Sequence, residues 1–78
     1  MNPRVKSVEV IEKHRLLVTF ENEEQRVFDA TPLFELPVFK HLENSPDFYN
    51  VRVAHGTITW ANELDICPDT VYLESTPV

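Results

Sequence analysis

Leu16, Val18 and Phe20 recur at every second position, with Thr19 and Glu21 in the opposite phase. A period of two puts the apolar set on one face of an extended segment and does not fit a helical stripe. Val8-Glu-Val10 alternates in the same way, and the polar run Glu12-Lys-His-Arg15 lies between the two segments. The spacing predicts a hairpin with strands over residues 5–12 and 14–21. Asn22-Glu-Glu24 reads as the next turn, with Asn22 the residue that tolerates positive φ. Gln25-Arg-Val-Phe-Asp29 is a short third strand, with Val27 and Phe28 on opposite faces.

Prolines punctuate the middle of the chain. Thr31 ahead of Pro32 reads as a cap followed by a proline whose missing N–H costs nothing at a helix start. Leu36 precedes Pro37 and is pushed out of the α region. One turn is expected near 32–35 and a short helix near 37–43, with Leu33, Phe34, Val38, Phe39 and Leu42 as its apolar side. Asn44-Ser-Pro-Asp47 is a second cap-and-proline break. From Phe48 to Ala54 the chain alternates again, with Tyr49, Val51 and Val53 on one face and Asn50 and Arg52 on the other. His55-Gly56, which holds the chain's one glycine, turns it into the returning strand Thr57-Ile-Thr-Trp60. This is a second expected hairpin. Pro68 opens a closing helical turn, with Asp69 at the positive end of its dipole. The tail Ser75-Thr-Pro-Val78 is expected to fray.

Composition sets the bounds. A chain of 78 residues makes one domain near the lower size limit. It buries little over ~60% of its unfolded surface, so its margin of stability is thin. A hydrophobic share of 42%, including five Phe, two Tyr and one Trp, suffices for a core and argues against disorder. No apolar run approaches the ~20 residues of a membrane span, and MNPRVKSVEV lacks a signal peptide's apolar segment. One Cys cannot form an internal disulfide, so a cytoplasmic location is expected. The net charge is −6 and uneven: residues 56–78 hold Glu63, Asp65, Asp69 and Glu74 and no base. Such a surface repels phosphate backbones, so direct nucleic-acid binding is not expected. Such charge serves solubility before it selects a partner, and its sharper reading is a basic one; a protein partner or self-association is expected.

The stretch from Ile58 to Tyr72, ITWANELDICPDTVY, gathers the only Trp, the only Cys and three acids. Asp65, Cys67 and Asp69 alternate, yet a zinc site needs four ligands, usually with paired spacing. One Cys with no C-x-x-C, and His41 and His55 far away, make a poor set, so no metal or cofactor is expected. Cys67 as a nucleophile would need His14, His41 or His55 beside it. No nucleophile-elbow signature is present, and one glycine cannot build a phosphate-cradling loop. No catalytic residue is assigned, and the chain is not read as an enzyme. The structural expectation is that Asp65 caps backbone N–H groups ahead of Pro68 and that Cys67 is a small buried hydrophobe. Trp60 is expected in the core and Tyr72 at the core's rim or an interface. His14 and His41 are expected in solvent, and His55 in its turn. Lys40 and Glu43 mark an exposed helical face.

The run LFELPVFKHLENSPDFYNVRVAHGTITWANELDICPDTVYLES resembles a bacterial family known as domain of unknown function 2442. The resemblance rests on Asp29, Pro32 and Leu33, on Phe48, Val51 and Val53, on Gly56 and Trp60, and on the ending Asp65-Ile-Cys-Pro-Asp69 with Tyr72. Where the family commonly reads Trp-Pro-Asn-Gly, this chain has Trp60-Ala-Asn-Glu63, so Asn62 is expected to take the unusual dihedral. The resemblance implies a small α+β fold: an antiparallel sheet of about five short strands in two hairpins, one short helix between strands 3 and 4, and a C-terminal helical turn. Larger relatives add a helix-turn-helix DNA-binding segment, for which these 78 residues leave no length. Family genes often adjoin another small family in an arrangement similar to toxin–antitoxin pairs.

The expected function is therefore a non-enzymatic interaction or regulatory module, the antitoxin-like or adaptor half of a two-protein system. The candidate interaction surface is Asn62, Glu63, Asp65, Asp69 and Tyr72. Strand pairing at open sheet edges, or pairing between surfaces, is the expected means of association, with the acidic C-terminal third meeting basic groups and Arg26 and Arg52 guarding the edges. The alternative is a small-ligand or redox sensor using Cys67.

Overall fold

A computed structural model of the chain describes residues 2–60 and 64–78. The described residues form a small α+β fold with two antiparallel sheets. The larger holds β1 (Val5–Glu12), β2 (Arg15–Phe20), β3 (Gln25–Asp29) and β7 (Thr76–Pro77), in that spatial order. The smaller holds β4 (Arg52–Ala54), β5 (Thr57–Trp60) and β6 (Leu64–Asp65). Between β3 and β4 run a 3-10 helix over Thr31–Glu35, the single turn α1 (Pro37–Lys40) and a second 3-10 helix over Pro46–Asn50. The helix α2 (Pro68–Glu74) closes the chain against β3 and β5.

The first three strands lie where the alternation puts them. Leu16, Val18 and Phe20 have no exposed surface, and Phe28, directly across from Leu16, joins them. Two bulges interrupt β1, between Val5 and Ser7 and between Val10 and Glu12. Positive φ falls on Glu23 at 71°, not on Asn22. The Asn22 side chain instead accepts the Glu24 N–H at 3.0 Å, an Asx turn that leaves the left-handed step to its neighbour. His55 and Gly56 both take positive φ, as a two-residue primed hairpin turn requires.

Other expectations are corrected. Thr31 is not a cap: Ala30 holds that place, and the Asp29 carboxylate accepts the Thr31 N–H at 2.9 Å. The helix expected to Glu43 stops at Lys40 and continues as i→i+3 turns, with Leu42 bonded to Phe39 and Glu43 to Lys40. Phe34, Phe39 and Leu42 are buried, but Val38 is 58% exposed. Phe48, Tyr49 and Asn50 form no strand. Ser45 accepts the Asp47 N–H and Pro46 follows, so a capped 3-10 turn wins over the alternation and leaves Tyr49 in solvent. The tail does not fray: Thr76 and Pro77 pair with Val27 and Arg26 as the last rung of the larger sheet. Two sheets form in place of the expected one, joined where the Val5 N–H donates to the Gly56 carbonyl at 2.9 Å.

The core lies between the sheets. Trp60 is 1% exposed; its ring stacks on Phe48 at 5.7 Å and its indole N–H donates to the Phe48 carbonyl at 2.9 Å. All of β5 is buried, Thr57 and Thr59 included. Their hydroxyls donate to the carbonyls of Ile66 and Leu64, so neither costs an unmet hydrogen bond.

Candidate interaction surface

Of the five residues picked out from the sequence, three are described, and each is engaged differently. Asn62 and Glu63 lie outside the described residues. Asp65 is exposed in β6 opposite Thr59, and it does not cap α2. The N-cap is Cys67, which makes no side-chain cap bond and is exposed rather than buried; Ile66 takes the core position beside it. Asp69 sits in the first turn of α2 and accepts from the Asn2 amide at 3.2 Å.

Tyr72 belongs to a closed structural cluster. Its hydroxyl donates to Glu24 Oε1 at 2.8 Å, and its ring meets Phe20 edge-on at 5.0 Å. The Arg26 guanidinium lies 4.5 Å over the same ring. It also donates to Glu24 Oε2 at 2.7 Å, to Ser75 Oγ at 2.7 Å and to the Ser75 carbonyl at 2.8 Å. Arg26 is therefore no edge guard. It sits on an inner strand and ties β3 to the end of α2. Hydrogen bonds from Arg26 and then Tyr72 hold the Glu24 carboxyl below its ordinary pKa. Donation to Glu24 holds the Tyr72 phenol above its own. Arg52, by contrast, is exposed on the outermost strand of the smaller sheet.

His14 is also misjudged by a sequence reading. At φ 63° its ring turns back onto the helical segment, with Nε2 2.7 Å from the Glu43 carbonyl. A carbonyl only accepts, so Nε2 carries the proton. The ring meets Phe34 and Phe48 edge-on at 4.6 and 5.4 Å. This histidine pins the first hairpin to the second layer. His41 and His55 are exposed.

The face of the larger sheet turned away from the core is where chemistry is left unspent. Register places Glu9, Leu17, Val27 and Thr76 side by side across all four strands of this face. Ser7, Thr19 and Gln25 form the row on one side, and Arg15 and Asp29 the row on the other. Leu17 and Val27 are half-buried but do not pack against the core cluster, and Ile11 in the second β1 bulge is 44% exposed. A solvated sheet face is ordinarily polar. Here an apolar stripe crosses it. Beside the stripe a cleft of about 430 Å³ is lined by Arg15, Val27, Asp29, Glu74, Thr76 and Pro77.

The margins of this sheet are poor templates for another strand. The outer strand β1 carries both bulges and the charges of Lys6, Glu9 and Glu12. The strand β7 is two residues long, and Pro77 offers no N–H. Pairing at the margins of this sheet thus meets blunted edges, while among the described residues its outer face lies outside the core cluster. The signal for the face was in the sequence: Leu16-Leu17-Val18 and Val27-Phe28 put apolar residues in both phases.

Among the described residues no three His, Cys, Asp or Glu side chains gather as metal ligands, and no helix is long and apolar enough to cross a membrane. Comparison with curated proteins and with solved structures gives no match. The scan of family models does: residues 5–77 match, from the first strand through the last rung of the sheet. The chain belongs to the family described as protein of unknown function (DUF2442).

Proposed function

We propose that this chain is a non-enzymatic protein-interaction module of the cytoplasm, the antitoxin-like or adaptor half of a two-protein system. It engages its partner through the outer face of the four-stranded sheet and not by adding a strand. The observation that carries this reading is the pair Leu17 and Val27, side by side on the outer face and outside the core cluster of the described residues, with Ile11 44% exposed in the neighbouring β1 bulge. Outward apolar side chains contribute little to folding, and contiguous ones mark contact surfaces. The test is affinity purification of the tagged chain from its native cells, followed by size-exclusion chromatography. A single stoichiometric partner is expected. Repeated recovery of the chain alone as a monomer overturns the reading.

The exposure of Cys67 favours a second reading, a thiol sensor. It requires fast alkylation of the folded protein and a change in partner binding on oxidation. Slow alkylation, or oxidation without consequence, removes it.

A further inference from the structure

The interaction reading leaves the partner's chemistry open, and the charges around the stripe narrow it. Glu9 lies in the same row as Leu17 and Val27, and Asp29 and Glu74 line the cleft beside them. The base on this face, Arg15, is 3.8 Å from Glu12, lies across from Asp29 in register and shares the cleft lining with Asp29 and Glu74. At the far end of β1, Lys6 is held by Glu23 at 2.8 Å. Among the described residues neither Asp29 nor Glu74 is in an ion pair. The face thus has apolar side chains along its middle and more acids than bases around them: Glu9, Glu12, Asp29 and Glu74 against Arg15.

Resting on the interaction reading, we infer that this face docks a basic amphipathic helix of a different protein. Its apolar side lies along Ile11, Leu17 and Val27. A lysine or arginine enters the cleft, with its methylenes against Val27 and Pro77 and its cationic head between Asp29 and Glu74. Long basic side chains suit such a place because the stem is apolar and the tip charged. The backbone N–H of Thr31 already satisfies one Asp29 oxygen and pulls that carboxyl below its ordinary pKa, so it stays ionised to meet a cation. A second copy fits poorly, because two such faces would bring Glu9, Asp29 and Glu74 against one another, and like charges across an interface are unfavourable. An added strand fits poorly because both margins are blunted.

The test is an NMR titration of the full 15N-labelled chain with three synthetic peptides of about 18 residues, five helical turns each. One is an amphipathic Leu/Lys helix, one its Leu/Glu counterpart, and one a Ser/Lys peptide of equal charge. The Leu/Lys peptide is expected to shift the amides of Leu17, Val27, Asp29 and Thr76, and to bind at least about tenfold more tightly than either control. Leu17→Lys, and Glu9→Lys combined with Glu74→Lys, each weaken it by about tenfold or more. These side chains point away from the core, and an otherwise unchanged spectrum verifies the fold. Shifts centred on Asp65 and Asp69, equal binding of the Ser/Lys peptide, or no binding overturn the inference. So does a homodimer abolished by Leu17→Lys. A native partner that co-purifies while leaving the Leu17 and Val27 amides unmoved overturns this docking face alone and leaves the interaction reading standing.

Discussion

Leu16 and Leu17 are the same residue on the same strand, and they meet different surroundings. Leu16 faces the second layer and has no exposed surface, packed with Phe28 across from it. Leu17 points the other way beside Val27, half-exposed and outside the core cluster. Hydrophobicity alone does not decide what a strand residue contributes; the layer it faces does. On the core side every large apolar side chain is accounted for by burial. On the outer side the same chemistry is less buried and lies outside the core cluster, which is why the contrast between the faces bears on function.

Four changes would break or sharpen that contrast. Leu16→Ala is expected to cost about 2–5 kcal/mol, a large share of the total for a chain this small. Urea unfolding followed by Trp60 fluorescence measures it, and a loss below about 0.5 kcal/mol, the size of an ordinary surface change, would erase the difference between faces. Arg26→Met comes next. It leaves the Ser75 carbonyl without its Arg26 donor, at about 1–3 kcal/mol, while Glu24 keeps its Tyr72 bond. Protease cleavage after residue 74 should rise with it, since the β3–β7 rung loses its tie.

Tyr72→Phe acts through pH. The raised phenol pKa means its contribution is fully present below the ordinary value of about 10 and is lost as pH rises through the folded pKa. Glu24 has the opposite sign: its lowered pKa gives stability present above about 4.3 and lost as pH falls through the folded value. Thermal melts from neutral to strongly alkaline pH should therefore show a shallower decline in Tyr72→Phe than in the parent chain. Part of the acid-side dependence survives in the variant, because Arg26 is the larger influence on Glu24. The smallest effect is expected for Leu17→Thr, within about 0.5 kcal/mol by the same urea measurement. A cost near that of Leu16→Ala would mean the outer face is structural after all.

Local rules were legible and long-range ones were not. The first three strands, the Ser45 cap, the His55-Gly56 turn and the Pro68 helix start follow from period, capping and turn chemistry within a few residues. The rung between β3 and β7 depends on Arg26 meeting Ser75 across 49 positions, and nothing near residue 75 announces it. His14 reads as a tip residue until its left-handed backbone sends the ring to Glu43, 29 positions on. Asp65, Asp69 and Tyr72 look like one acidic-aromatic cluster because they are neighbours in sequence. In the fold each is engaged differently: Asp65 faces solvent from β6, Asp69 receives Asn2, and Tyr72 is clasped by Glu24 and Arg26.

The late arrival of β7 bears on how the molecule is born. As a ribosome releases the chain in order, β1 to β3 can meander together early, since their contacts are local. Their greasy side stays bare until Trp60 and Val71 emerge to roof it, and the sheet's final rung waits for Thr76. A nascent chain stalled before α2 would leave Phe20 without the Tyr72 ring and the outer side of β3 without its neighbour, an invitation to chaperones and to clumping.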